Sequence, residues 1–264
     1  MSLIALTSAS AAPGATTSAL GLALHWPRPV VLVEADPSGT RALNAGYFRG
    51  GQLPTNETIV DLAVSQRQGT LVEDLPGMLF TIPDTSVQVL TGPLRQNQSR
   101  ALDTLWEPLA SLLKSLERNG QDAIVDLGRL GLESFGHKLL ATADLALLTT
   151  RSDLPGLVAA SSWAPALRRS FDNAGAPQAI GALMIGPGRP YTASEASHVL
   201  DLPIIATLAW DPDTASAYSH GATQHRKFAS APLNKSLRAA VQSAQSALAN
   251  TRAQLELTTD GSQR

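Results

Sequence analysis

The 264-residue chain contains no cysteine. That excludes disulfides, thiolate nucleophiles and cysteine-bound metals. Charge is also scarce: Asp, Glu, Lys and Arg make up 16% of the residues, the formal net charge is −2, and no run of five like charges occurs. Non-specific nucleic-acid binding relies on a basic surface that releases counterions from phosphates, and the totals contain none. The only adjacent basic pairs, Arg168-Arg169 and Arg226-Lys227, read as solvated surface. The five histidines (His25, His137, His198, His220, His225) form no i, i+4 pair with one another, so no metal is expected on them. There is no stretch of 18 uncharged apolar residues to span a bilayer. The apolar start, Met1 to Leu24, has no positive leading region and is interrupted by Ser, Thr, Pro and Gly, unlike a secretory signal. A cytoplasmic location is therefore expected.

Apolar residues are plentiful, at 44% of the chain. They fall into short β-branched runs that alternate with helical patterns. Strands are expected at Leu3–Thr7, Val30–Ala35, Leu79–Ile82, Val87–Leu90, Ala123–Asp126, Leu145–Thr149, Ile180–Ile185 and Ile204–Leu208. Several are continuously apolar, as in parallel sheets covered on both faces. A helix is expected over Ser99–Arg118, where Leu102, Leu105, Trp106, Leu109, Leu112, Leu113 and Leu116 recur at i, i+3, i+4 spacing. A closing helix, about Pro232–Leu255, puts Leu233, Leu237, Val241, Ala244 and Leu248 on one face. That face has no aromatic anchor and few lysines, so packing on the sheet is expected rather than a membrane surface. The pattern predicts one α/β domain over residues 1–257, a doubly wound and mostly parallel sheet of about eight strands with helices on both faces. A disordered tail is expected at 258–264.

In an open sheet of this kind, ligands lie beyond the carboxyl ends of the strands. After the first strand comes Ser8-Ala9-Ser10-Ala11-Ala12-Pro13-Gly14-Ala15-Thr16-Thr17, followed by a helical pattern. A small-residue loop leading into a helix N-terminus offers backbone N–H groups and a dipole to an anion. Small residues also make tight turns that bind nothing.

This loop resembles the deviant phosphate-binding loop of the MinD/ParA family of P-loop ATPases, Lys-Gly-Gly-x-Gly-Lys-Thr-Thr, with Gly14, Thr16 and Thr17 in place. Val33-Glu34-Ala35-Asp36-Pro37-Ser38-Gly39 is similar to the family's first switch segment. Ala123–Gly128 resembles its Walker B strand and second switch, and Asp144–Thr150 the strand after that. Leu202–Pro212 resembles the last strand and the loop beside the base, with Gly221 downstream. Five segments in register span roughly residues 2–250. The resemblance implies a site for ATP or ADP with magnesium. Ala12, Pro13, Gly14, Ala15, Thr16 and Thr17 would cradle phosphates, and the Asp211-Pro212 turn would border the base. Thr16 and Asp126 would serve magnesium, and Asp36 would orient the attacking water. Asp36 and Asp211 each precede a proline and also suit turn openings.

The departures concern charge. The family's two loop lysines fall on Ser10 and Ala15, and these lysines neutralise phosphates and the developing transition-state charge. Ala11 and Ala12 resist positive φ, and Pro13 has no N–H to donate. The family's purine-reading asparagine is replaced around Ile185-Gly186. Arg41 and Arg129, each beside a switch segment, are the candidate substitutes for the lysines. The reading is a degenerate MinD/ParA-like localisation, partitioning or regulatory factor. It acts through a protein partner, with a homodimer implied by the resemblance, and with weak or no nucleotide turnover. The alternatives are a slow but active ATPase that positions DNA or cargo, and an ATP-dependent metabolic ligase on the same fold.

Overall fold

A computed structural model describes residues 2–10 and 14–261. In chain order the elements are β1 (Leu3–Ser8), α1 (Ala15–Leu24), β2 (Val30–Glu34), α2 (Ala42–Ala45), α3 (Ile59–Gln68), α4 (Leu71–Met78), β3 (Phe80–Thr81) and β4 (Val87–Leu90). Then follow α5 (Trp106–Ser115), β5 (Asp122–Arg129), α6 (His137–Ala141), β6 (Leu145–Arg151), α7 (Leu154–Asn173), β7 (Ile180–Ile185), α8 (Ala193–Leu200), β8 (Ile204–Leu208), α9 (Pro212–Ser219) and α10 (Pro232–Gly261). All eight expected strands are present. They form one sheet in the order β3-β4-β2-β5-β1-β6-β7-β8. Every pairing is parallel except the edge pair β3 with β4.

Alternation along each strand divides the core into two layers. Leu3, Ala5, Val31, Val33, Ala123 and Val125 face the layer that contains α3, α5 and α7. Ile4, Leu6, Val30, Leu32, Ile124 and Leu147 face the layer built from α1, α9 and α10. Burial on both sides explains why the central strands read as unbroken apolar runs. In α10, Leu233, Leu237, Val241, Ala244 and Leu248 are all buried in the second layer.

Two elements differ from expectation. The continuous helix expected over Ser99–Arg118 is instead a 3₁₀ stretch (Gln96–Leu102), then α5, then a second 3₁₀ stretch (Leu116–Asn119). Pro108 accounts for the break: it cannot donate to the carbonyl of Thr104, and its ring clashes with that carbonyl. A proline is tolerated in the first turn of a helix, so α5 starts at Trp106. At the other end, α10 runs on to Gly261, inside the tail expected to be disordered from 258. Each residue added to an existing helix gains a hydrogen bond without a new nucleation cost. Residues 262–264 of that tail lie outside the described residues. Among the described residues, no helix is long and apolar enough to cross a membrane.

Candidate functional site

β1 is the pivot of the sheet: the chain leaves it towards β2 on one side and reaches β6, β7 and β8 on the other. Such a switch point opens a crevice at the carboxyl ends of the strands. A cavity of about 620 Å³ lies there. It is lined by Ser8, Ser10 and the first turn of α1, by Asp36 after β2, and by Gly128 and Arg129 at the end of β5. Arg151, Ile185 and Leu208–Pro212 complete the side towards β8.

Helix α1 is introduced by Gly14, whose φ of 104° is costly for any other residue. Ser18 N donates the first i→i−4 bond, to Gly14 O at 2.8 Å. The N–H groups of Ala15, Thr16 and Thr17 therefore precede the helical ladder, and no side chain caps them. All four residues from Gly14 to Thr17 line the cavity. Ala12 and Pro13, also expected to cradle phosphate, lie outside the described residues, as does Ala11.

The β5 side is shaped by a bulge. Leu6 pairs with Asp126 but Ser8 pairs with Arg129, so β5 carries one extra residue. Gly128 takes up the irregularity at φ 66°. Its carbonyl accepts from Thr7 Oγ1 at 3.0 Å. Its Cα lies directly under the Asp36 carboxyl, because a Cβ there would be 2.3 Å from Asp36 Cγ. Gly128 is thus required twice, by backbone sign and by contact. Asp36 itself is partly exposed to the cavity, and its Oδ1 accepts from Ser38 N at 2.8 Å.

Asp126 is 1% exposed. Its Oδ1 accepts from Gly128 N at 3.0 Å; the Thr16 hydroxyl lies close to the carboxyl, and Oδ2 makes no other hydrogen bond within the protein. Burial pushes its pKa up to about 7; the nearby Thr16 hydroxyl and the Gly128 N–H pull the other way, and the charges of Asp36 and Glu34 add to the rise. When ionised, a buried carboxyl with so few hydrogen bonds is costly and suits a cation or an ordered water beside it. Glu34 has a different role. It is 3% exposed, with Oε1 accepting from Leu43 N and Oε2 from Gly92 N, both at 3.1 Å. Burial raises its pKa as well, against those two N–H donors. It fastens α2 and the segment after β4 to the floor of the site.

On the β8 side, Asp211 and Pro212 line the cavity. Asp211 also caps α9, accepting from Thr214 N at 3.2 Å, and its second oxygen accepts from Leu233 N at 3.4 Å. Of the two candidate arginines, Arg129 lines the cavity. Arg41 is the N-cap of α2 at φ 49° and is not among the lining residues; its charge acts on Glu34. The arginine that the sequence did not single out is Arg151. It stands at the carboxyl end of β6, and its guanidinium lies 5.0 Å from the Trp210 ring centroid. The rule that selects Arg129, chemistry at the carboxyl end of each strand, also reaches Arg151 and Trp210.

The sheet order, the crevice at β1 and the loop entering α1 define a P-loop NTPase fold of the MinD/ParA type. Solved structures with this fold match over nearly the whole chain. The septum site-determining protein MinD from Pyrococcus horikoshii, complexed with Mg-ADP, is 20% identical, covers 90% of this chain and 93% of its own, and superposes with a TM-score of 0.68. A ParA family ATPase from Chlorobium tepidum is 18% identical over 91% of this chain and 98% of its own, with a TM-score of 0.70. The ATP complex of a McdA variant from Cyanothece is 15% identical over 94% and 96%, with a TM-score of 0.66. No protein-family model and no curated protein sequence matches the chain.

Proposed function

We propose that this protein is a positioning or regulatory factor that works through a protein partner, and that it binds a magnesium nucleotide weakly with little or no turnover. The observation that carries this reading is a site complete in its carboxylates and incomplete in its cations. Thr16, Asp36 and Gly128 line the cavity at the start of α1, and the buried Asp126 lies behind them beside the Thr16 hydroxyl. The positions of the two loop lysines are held by Ser10 and Ala15.

The residues present suit the group. Thr16 would offer its hydroxyl to magnesium, Asp126 would hold the ion's shell through its carboxylate, and the N–H groups of Ala15 to Thr17 would face phosphate. Bound magnesium would supply positive charge to the phosphate oxygens. Asp36 stands where a water could be oriented. The missing lysines weigh most in the transition state, where removal of one preorganised contact costs about 3–4 kcal/mol, or 10²–10³ in rate. Partner binding through conformation survives that loss; hydrolysis does not. The neighbours of this fold include a MinC:MinD complex from Aquifex aeolicus, which supports a partner-directed role.

A second reading, a slow ATPase that positions DNA or cargo, is favoured by Arg129 and Arg151 on the cavity wall. Calorimetry with Mg-ATP, run beside a phosphate-release assay, separates the two. The first reading predicts affinity weaker than about 100 μM, equivalent to less than ~5.5 kcal/mol, and no phosphate release. Sub-micromolar affinity, or turnover abolished by Asp36→Ala, establishes the second.

A further inference from the structure

The wall formed by Arg151 and Trp210 differs in chemistry from the rest of the cavity. Trp210 follows β8, Arg151 ends β6, and β7 runs between them, so their contact bridges the end of β7. Gly186, directly after β7, lies beneath it: a Cβ on Gly186 would be 3.3 Å from Trp210 Cβ, and its φ is 73°. Trp210 remains 39% exposed despite the stacked guanidinium. Ile185 points the other way, closing on the loop, since a Cβ on Gly14 would be 2.9 Å from Ile185 Cδ1.

At Gly186, Ala209 and Asp211 the polar groups along this wall are already engaged. Gly186 N donates to Leu208 O at 2.8 Å, and Gly186 O accepts from Arg189 N at 3.1 Å and from Ser152 Oγ. Ala209 N donates to Ser236 Oγ at 3.0 Å. Both carboxylate oxygens of Asp211 accept from backbone N–H groups. Reading the edge of a planar ring requires open donors and acceptors at fixed positions. Stacking requires only a flat face, and every base has one.

We infer that the Arg151–Trp210 wall receives the ring of a nucleotide by stacking, without edge readout, so that the site accepts purine and pyrimidine nucleotides nearly alike. The inference rests on the nucleotide reading of the cavity. It also gives Arg151 a role: the guanidinium holds the indole plane in place, as cation–π and stacking pairs do.

The test is titration of the full-length protein with the magnesium complexes of ATP, GTP, CTP and UTP, and with magnesium tripolyphosphate, which has no ring. The expected result is four nucleotides bound within about fivefold of one another, each at least about fivefold tighter than tripolyphosphate. Trp210→Ala should remove that advantage for all four and leave tripolyphosphate unchanged, while Trp210→Phe should keep part of it. Because Trp210 is partly exposed, circular dichroism and thermal melting should show both variants folded. ATP preferred over CTP and UTP by more than about twentyfold would reveal an edge reader and overturn the inference. Nucleotides bound no more tightly than tripolyphosphate, or binding unaffected by Trp210→Ala, would overturn it while leaving the nucleotide reading standing. If neither nucleotide nor tripolyphosphate binds, the nucleotide reading fails and this inference fails with it.

Discussion

Asp126 and Gly128 show how much of the site depends on single residues two apart in β5. Asp126 has a folded-state pKa of about 7, raised by burial. The folded state therefore keeps a proton that the unfolded chain releases near pH 4. Stability from this group is full below about pH 4 and is lost as pH rises through about 7; Glu34 shifts in the same direction. Asp126→Asn should consequently flatten the fall in melting temperature between about pH 4 and 7.5, and the variant should melt above the parent at the upper end. Scanning calorimetry of both proteins across that range checks it; parallel pH profiles would mean that Asp126 is ionised throughout. At Gly128, an alanine must hold φ 66° and displace the Asp36 carboxyl. The first effect costs about 1–2 kcal/mol and the overpacking about 1–3 kcal/mol more. Urea unfolding of Gly128→Ala should show a loss in that range.

Helices α1 and α10 meet where Gly21 faces Leu237, and a Cβ on Gly21 would lie 2.7 Å from Leu237 Cδ1. Leu237 is fully buried and also lines the cavity. Leu237→Ala should cost about 2–5 kcal/mol through lost burial and the void it leaves. Gly21→Ala should be destabilising alone, despite alanine's better helix propensity, because the added methyl overlaps both Cδ atoms of the buried Leu237. The pair together should cost less than the sum of the two, since the added methyl enters the space the leucine leaves. Simple additivity in a double-mutant cycle would refute this contact. The same scale explains the break before α5. The periodic leucines of Ser99–Arg118 are core residues as their spacing implies, for Leu102, Leu105, Leu109 and Leu113 are buried. Periodicity does not register that Pro108 removes one backbone bond, so it implies one helix where three short helical stretches occur.

For the molecule as a whole, low charge remains the dominant surface property. Arg168 of the one basic pair on α7 is engaged with Asp201 through a salt bridge. Neither a duplex DNA shift at physiological salt nor sedimentation with anionic vesicles is expected, and a salt-sensitive DNA shift lost on replacing Arg168 and Arg169 would contradict this. Eight strands, their near-complete boundaries and the two-faced burial were legible in the sequence, because a strand covered on both sides must be apolar at every position. So was the position of the cavity at the ends of β1, β2 and β5, since small, turn-forming and charged residues interrupt the apolar runs there. Strand order was not legible: each strand pairs through backbone groups common to all residues, and the antiparallel edge of β3 leaves no mark in two residues. Tertiary structure alone placed Arg151 against Trp210, distant in the chain, and separated Arg129 from Arg41. It also gave Glu34 to the scaffold and buried Asp126 beside Thr16. Sequence determined which groups exist and which segments must be buried. Which charges share a cavity depends on strands brought side by side across long stretches of chain, and that is decided only when the sheet is assembled.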